Sequence, residues 1–206
     1  MIPKVLVGCP TSDYKAYCLD AYLEGLRKFT YSSFDVLLVD NSKDDSYAQR
    51  IEQEGFRVLR GPSLPEVKER ITTSRNLLRD SFLKGDYDYF LSLEQDVVPP
   101  PDIIEHLLAY KKEVMTAVVF TKYYLRDKLV FKPILFGFAD DPRVVHFMDM
   151  EVRNPGLYRA KSCGLGCVLI HRRVLEKIRF RLFEDKSTFD DMPFCKDAKD
   201  KNFPIY

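Results

Sequence analysis

The stretch YDYFLSLEQDVVPPP, residues 87–101, decides how the rest of the chain is read. Tyr89, Phe90, Leu91 and Leu93 make an apolar run of strand length that ends abruptly in Glu94-Gln95-Asp96. Pro99, Pro100 and Pro101 then stop any strand, because proline has no N–H to give a ladder hydrogen bond. Strand side chains alternate faces, so Glu94 and Asp96 are expected on one side and Gln95 on the other. Two carboxylates on one face at the exit of a buried strand repel each other unless something positive lies between them. A hard divalent cation that keeps room for phosphate oxygens is the natural candidate. A solvated acidic turn is the plainer explanation, since short acidic motifs also arise by chance.

Outward from this segment, the first half alternates strands and helices. Lys4–Cys9 is a nearly continuous apolar run, as expected of a strand buried on both faces. Pro10 and Thr11 end it, and Ser12 or Asp13 can cap a helix over Lys15–Phe29. A second strand, Phe34–Val39, closes on Asp40-Asn41-Ser42 and is followed by a polar helix, Asp44–Glu54. After a short strand at Phe56–Leu59, a long helix covers Glu66–Lys84, with Gly85 as its stop. Beyond the acidic segment come a helix at Pro101–Lys111 and a strand at Val114–Phe120. This rhythm predicts a mostly parallel sheet with helices on both faces.

The pattern changes near residue 121. Aromatic-rich Leu129–Phe138 and Val144–Met150 read as hairpin strands around Ala139-Asp140-Asp141-Pro142. Then follow Leu157–Ala160, a strand Cys163–His171, a basic helix Arg172–Ile178, a helix Pro193–Lys201 and a stub strand Phe203–Tyr206. The expectation is one domain over residues 1–206, with a nucleotide-binding half (1–120) and an acceptor-binding half (121–206).

Composition narrows the classes. A formal net charge of +1 gives no electrostatic case for a nucleic-acid partner. The longest apolar runs fall far below the ~20 residues of a membrane span, and MIPKVLVGCP lacks the layout of a signal peptide. Five scattered cysteines fit a reduced, cytoplasmic setting, with Cys163 and Cys167 as buried structural thiols on one apolar face.

Ligands of open α/β sheets bind beyond the carboxyl ends of the strands. Pro10-Thr11, Asp40 and the Glu94/Asp96 pair all fall at that edge. The first turn, GCPTSDY, has no GxGxxG, and Gly164-Leu165-Gly166 lies inside an expected strand, so a dinucleotide fingerprint is missing. No GxxxxGK[ST] loop is present either.

The order of segments resembles a GT-A (Rossmann-like) glycosyltransferase, of the inverting family 2 type that uses nucleotide-diphosphate sugars. The similar pieces are KVLVGCPTSDY (4–14), LLVDNSKDD (37–45), TTSRNLLRDSFLKGDYDYFLSLEQDVVPP (72–100), SCGLGCVLIHRRVLEKI (162–178) and DDMPFCKDAKDKNFPIY (190–206). The resemblance implies a donor site of Thr11, Asp40, Arg75 and Glu94, with a manganese or magnesium ion on Asp96 and Glu94, where the family has its DxD motif. Gly164, Gly166 and Asp190 would lie on the acceptor side, and Asp191 would be the catalytic base. Arg75 is otherwise an ordinary helix arginine, and Asp191 an N-cap. The chain departs from the family in opening the motif with glutamate and in having no histidine after Asp191. His106 and His171 read as surface or core residues rather than ligands, and His146 as a weak ligand candidate.

The implied activity is metal-dependent, inverting transfer of a sugar from a UDP- or GDP-sugar to a carbohydrate, lipid-linked or protein acceptor. A departing nucleoside diphosphate needs a cation rather than an acid, and the acceptor hydroxyl needs one carboxylate base. A silent sugar-nucleotide or carbohydrate-binding module and a sugar nucleotidyltransferase are the alternatives. The basic run His171–Arg181 suits either a solvated helix face or peripheral contact with anionic lipid at the cytoplasmic membrane face.

Overall fold

The apolar runs assemble into one central sheet. In a computed structural model, which describes residues 2–137, 145–146 and 156–206, β1 (Val5–Thr11) is buried along its whole length. A 3-10 turn at Asp13–Cys18 and α1 (Leu19–Arg27) lead to β2 (Phe34–Asp40), α2 (Ser46–Gln53) and β3 (Arg57–Arg60). Helix α3 (Val67–Lys84) returns the chain to β4 (Tyr89–Leu93), then α4 (Ile103–Ala109) and β5 (Val114–Thr116). Short strands β6 (Phe120–Leu125), β7 (Lys128–Pro133), β8 (Leu135–Gly137), β9 (Val145–His146) and β10 (Ser162–Cys163) precede β11 (Cys167–His171). Helices α5 (Arg172–Lys177) and α6 (Asp191–Asp200) follow.

The strand order is β3-β2-β1-β4-β11-β5. β1 pairs in parallel with β2 and β4, while β11 runs antiparallel to both of its neighbours. The chain therefore moves outward through β2 and β3 and comes back across α3 to lay β4 on the other side of β1. In open α/β sheets ligands bind at such a reversal, beyond the ends of the strands, and Thr11 and Glu94-Asp96 lie at those ends of β1 and β4. Alternation along the strands divides the core. Leu6, Phe90, Val168 and Ile170 pack with Leu78 and Phe82 of α3 and Phe194 of α6. Val7, Cys9, Leu91, Leu93 and Leu169 pack with Leu23 of α1, Ile51 of α2 and Ile104 of α4 on the other face. Among the described residues no helix is long and apolar enough to cross a membrane.

The first half matches the expected alternation, with a different opening: the helix expected over Lys15–Phe29 begins as the 3-10 turn and becomes α-helical only at Leu19. The second half differs more. The strand expected over Val114–Phe120 stops at Thr116, and Phe120 begins a hairpin of β6 and β7. Its turn residues, Arg126 and Asp127, both have positive φ (48° and 62°), the requirement of a two-residue primed turn. Expected Leu129–Phe138 is two strands, β7 and β8, and β8 pairs with β9. The turn expected at 139–142 lies outside the described residues.

The strand expected over Cys163–His171 is broken at Gly164-Leu165-Gly166. Cys163 and Cys167 consequently fall in opposite halves of the core instead of on one face. The stub strand is a bridge at Ile205, which pairs with both Val114 and Ala160.

Gly8, in the middle of β1, marks a close approach. A Cβ built there would lie 2.3 Å from the Phe90 ring, itself fully buried. Gly8→Ala is expected to cost about 1–3 kcal/mol by overpacking, with part recovered by adding Phe90→Leu; chemical denaturation of the single and double variants measures both.

Candidate active site

Strand β4 ends at Leu93, so alternation lapses just before the acidic residues and each of them takes a different partner. Glu94 accepts a hydrogen bond from Arg75 Nη2 at 3.2 Å. Asp96 Oδ2 is 3.0 Å from Lys15 Nζ. The shared face expected for Glu94 and Asp96 is thus replaced by two separate ion pairs, because Gln95 and Asp96 sit in a turn closed by Val97 N–H donating to Glu94 O (2.9 Å).

Gln95 carries a role that its polar character in a surface-like motif did not reveal. It is fully buried. Its Oε1 accepts from Thr11 Oγ1 and from Tyr47 Oη (3.1 Å), and its Nε2 donates to Lys15 O (2.7 Å). Gln95 therefore fastens the end of β4 to the end of β1 and to the 3-10 turn. Thr11, expected to face the donor, is 2% exposed and points into this bolt.

Asp40 is likewise 0% exposed. Its Oδ1 accepts from Ser42 N (2.9 Å) and Ser42 Oγ, while Oδ2 pairs with Arg60 of β3. Arg60 in turn donates to Ser42 O at 2.8 Å. The acid at the end of β2 holds Arg60 and the buried Asn41-Ser42 loop in place, and of these groups it is Arg60 that reaches the surface.

Arg75 is 1% exposed and joins elements far apart in sequence. Nε donates to Asp190 Oδ2 (2.9 Å), Nη1 to Ser92 Oγ (2.8 Å) and Nη2 to Glu94 Oε1. Burial disfavours the guanidinium charge, but the Asp190 and Glu94 carboxylates outweigh it and push its pKa above the usual value. Neighbouring α3 side chains hold the segment before α6. Asn76 exchanges hydrogen bonds with the Phe180 backbone (2.8 and 3.1 Å), and Arg79 Nε donates to Ile178 O (2.8 Å).

These contacts set the start of α6. Asp190 occupies the N-cap position but makes no capping hydrogen bond; its side chain is committed to Arg75. Asp191 follows as the first helical residue, partly buried, with Oδ1 accepting from Met192 N at 2.8 Å. Among the described residues it has no ion-pair partner. Burial raises its pKa; the Met192 N–H opposes this, Asp190 adds to it, and Arg75 and Glu94 act in opposite senses.

The Gly164-Gly166 loop lies directly on the acidic segment. Glu94 N donates to Gly166 O (2.9 Å), and Ser92 Oγ to Leu165 O (2.8 Å). A Cβ on Gly164 would stand 2.9 Å from Ile134, whereas one on Gly166 would make ordinary 3.5 Å contacts. Only Gly164 is under a steric demand.

A protein-held dication is not well served here. Among the described residues no group of three or more His, Cys, Asp or Glu side chains is placed to hold a metal. Glu94 is engaged by a guanidinium and Asp96 by an ammonium, so each would have to leave its cation partner to join phosphate and water oxygens around a dication. His106 pairs with Asp102 on an exposed helix (2.9 Å), His171 accepts from Arg173 N, and the side chain of His146 lies outside the described residues. The basic run is also occupied. Arg172 donates to carbonyls at the end of α3, Arg179 pairs with Asp80, and Arg181 with Asp197. Two hollows of about 420 and 460 Å³ lie elsewhere, one beside Tyr89 and His171, the other beside Cys195 and Phe203.

This is the GT-A arrangement, a mostly parallel α/β sheet with an antiparallel strand inserted beside the acidic segment. Similar solved structures carry it. The mannosyltransferase PcManGT from Pyrobaculum calidifontis, in complex with GDP-Man and Mn2+, has a TM-score of 0.61 at 10% identity, covering 100% of this chain and 54% of that one. S. aureus TarS 1-349 in complex with UDP-GlcNAc gives 0.60 at 14% identity, over 98% of this chain and 56% of that one. CMP:2-keto-3-deoxy-manno-octonic acid synthetase complexed with CTP gives 0.55 at 12% identity, over 98% and 88%. The chain spans little more than half the length of the first two. The sequence matches no protein-family model and no curated protein sequence.

The buried Arg75–Asp190 pair generates a stability prediction. Asp190→Asn or Arg75→Leu leaves one charge buried without its partner and is expected to cost about 3–5 kcal/mol. The double variant should be less destabilised than the sum of the two, which a double-mutant cycle by denaturant unfolding reads directly.

Proposed function

We propose that the chain is a nucleotide-sugar-dependent, inverting glycosyltransferase, with the donor on the β1/β4 side of the crevice and the acceptor beside α6 and the Gly164-Gly166 loop. On this reading residues 1–120 bind the donor and 121–206 the acceptor. The observation that carries it is Asp191: a carboxylate without a cation partner among the described residues, made more basic by burial, and next to Asp190, which shares Arg75 with the acidic strand end. Nucleotide-sugar complexes of TarS and PcManGT, which share the fold, favour the donor class.

In the proposed reaction Asp191 accepts the proton of the acceptor hydroxyl as its oxygen attacks the anomeric carbon. The bond from that carbon to the donor phosphate oxygen breaks, and its electron pair leaves on the diphosphate. Attack and departure take place on opposite faces of the sugar, which inverts the anomeric configuration. Arg60, held by Asp40, forms the nucleoside side. Arg75 and Asp190 position Glu94 and the start of α6 without meeting the substrate. The departure at Glu94 keeps a silent binding module as an outcome of the assay: nucleotide binding with no transfer.

A sugar nucleotidyltransferase is the second reading, favoured by the 88% coverage of the CMP:2-keto-3-deoxy-manno-octonic acid synthetase structure. It lacks support from the first turn, GCPTSDY, which is not glycine-rich. Release of pyrophosphate from a nucleoside triphosphate and a sugar phosphate would decide for it; release of nucleoside diphosphate from UDP- or GDP-sugar supports transfer.

Asp191→Asn is expected to lower kcat by about 10²–10⁴-fold with the donor KM nearly unchanged. In the unaltered protein the acid limb of the rate profile should fall above the usual carboxylate value, since Asp191 must be deprotonated and its pKa is raised. The sign for stability is opposite to that for activity. A raised folded-state pKa gives stability that is present below the unfolded value and is lost as pH rises through the folded one. At neutral pH Asp191→Asn should therefore unfold at the same or a higher temperature; a lower one, together with full activity, removes Asp191 from the base role.

A further inference from the structure

Lys15 was not among the residues that the sequence singled out, yet the fold places it on the acidic segment. It comes from the 3-10 turn directly after β1, and its backbone is fixed on both sides. Lys15 N donates to Ser12 O (2.9 Å), and Lys15 O accepts from the buried Gln95 Nε2 (2.7 Å). Asp13 N, in the same turn, donates to Ser42 Oγ at 2.8 Å, which ties the turn to the loop after β2. The side chain then reaches Asp96, with Nζ 3.0 Å from Oδ2 and about a third of it still exposed (33%).

The other strong cation nearby is unsuited to a ligand. Arg75 is 1% exposed, and its guanidinium is taken up by Asp190, Ser92 and Glu94. It lies behind the carboxylates. Lys15 lies at their mouth, and an ammonium has three N–H donors, so an ion pair with Asp96 leaves donors for a further oxygen. The turn that carries it follows β1 at the switch point, on the side where a donor diphosphate enters the crevice.

We propose that Lys15 does at this site the work of a divalent cation: its ammonium, aimed by Asp96, binds the diphosphate of the donor and holds the charge that gathers on it as the sugar leaves. The inference rests on the nucleotide-sugar reading above. In the step, the anomeric carbon–oxygen bond breaks with its electron pair passing to the diphosphate, and the acceptor proton goes to Asp191. Lys15 gives up no proton and stays an ammonium throughout. Asp96 is a positioning residue, and the disagreement between the side chains present and an expected DxD metal site is accounted for: the charge is built into the chain. A consequence is that donor binding survives chelation and weakens with salt.

The test is calorimetric titration of UDP, GDP, CDP and TDP into the full chain, in EDTA and separately in Mn2+, using the unaltered protein, Lys15→Ala and Lys15→Arg. Thermal unfolding without nucleotide checks that each variant is folded. One diphosphate should bind the unaltered protein in EDTA, with an affinity within about threefold of that in Mn2+. Lys15→Ala should lose about tenfold or more in EDTA, the worth of a charge-assisted hydrogen bond. Mn2+ should restore part of that loss, because Asp96 is then released for a metal; Lys15→Arg should keep most of the affinity. Binding that requires Mn2+ in the unaltered protein, with Lys15→Ala indistinguishable from it, overturns the proposal and leaves the nucleotide-sugar reading standing. No binding of any diphosphate to any of the three proteins in either buffer overturns both.

Discussion

The site depends on one buried guanidinium. Arg75 and Asp190 are 115 positions apart in sequence, and their contact brings the start of α6 to the end of β4. A charged group this deep is tolerated only with its hydrogen-bonding capacity met, and the fold supplies Asp190, Ser92 and Glu94 for it. A buried pair of this kind is a poor source of net stability but a strong specifier of geometry, because every alternative arrangement leaves a charge unpaired. Phe180 and Phe194, stacked at 5.4 Å, close over the same region, and the Arg75 guanidinium lies 5.7 Å from the Phe180 ring.

A second fastening acts on the other side of the crevice. Gln95 ties β4 to Thr11, Tyr47 and the 3-10 turn, so the loops after β1 and β4 are set relative to each other by buried hydrogen bonds. A polar side chain with no net charge suits this position: it satisfies donors and acceptors on three elements without adding a third carboxylate beside Glu94 and Asp96. The flanking acids are thus free to take cation partners of their own, Arg75 below and Lys15 above.

The strand and helix order of the first half was legible in the sequence because each element there has its own local signal: an apolar run, an acidic or proline stop, a glycine after α3. The second half was less so. The β6–β7 hairpin turns on Arg126 and Asp127, residues that carry no turn signature although both adopt positive φ. Cys163 to Ile170 reads as a single apolar run, and the break at Gly164-Gly166 follows from backbone contacts to Ser92, Glu94 and Ile134 that no local pattern announces. Among the site residues, those implied by resemblance lie near one another. What local reading missed are their partners: Thr11 and Asp40 prove to be buried fasteners, and Lys15, Ser92, Arg60 and Gln95 emerge only from the packing.

The charges at the site then sort themselves by partner. Glu94 and Asp190 share Arg75, Asp96 has Lys15, and Asp191 is left with a backbone N–H. Partial burial raises the proton affinity of Asp191, against the Met192 N–H that it accepts. The division comes from the connection between α3 and α6: had Asp190 capped the helix in the ordinary way, Arg75 would have lost its main partner and Asp191 would have been free to take it. An acid in the N-cap position that declines to cap thus keeps Arg75 for itself, while burial is what raises the pKa of the residue after it.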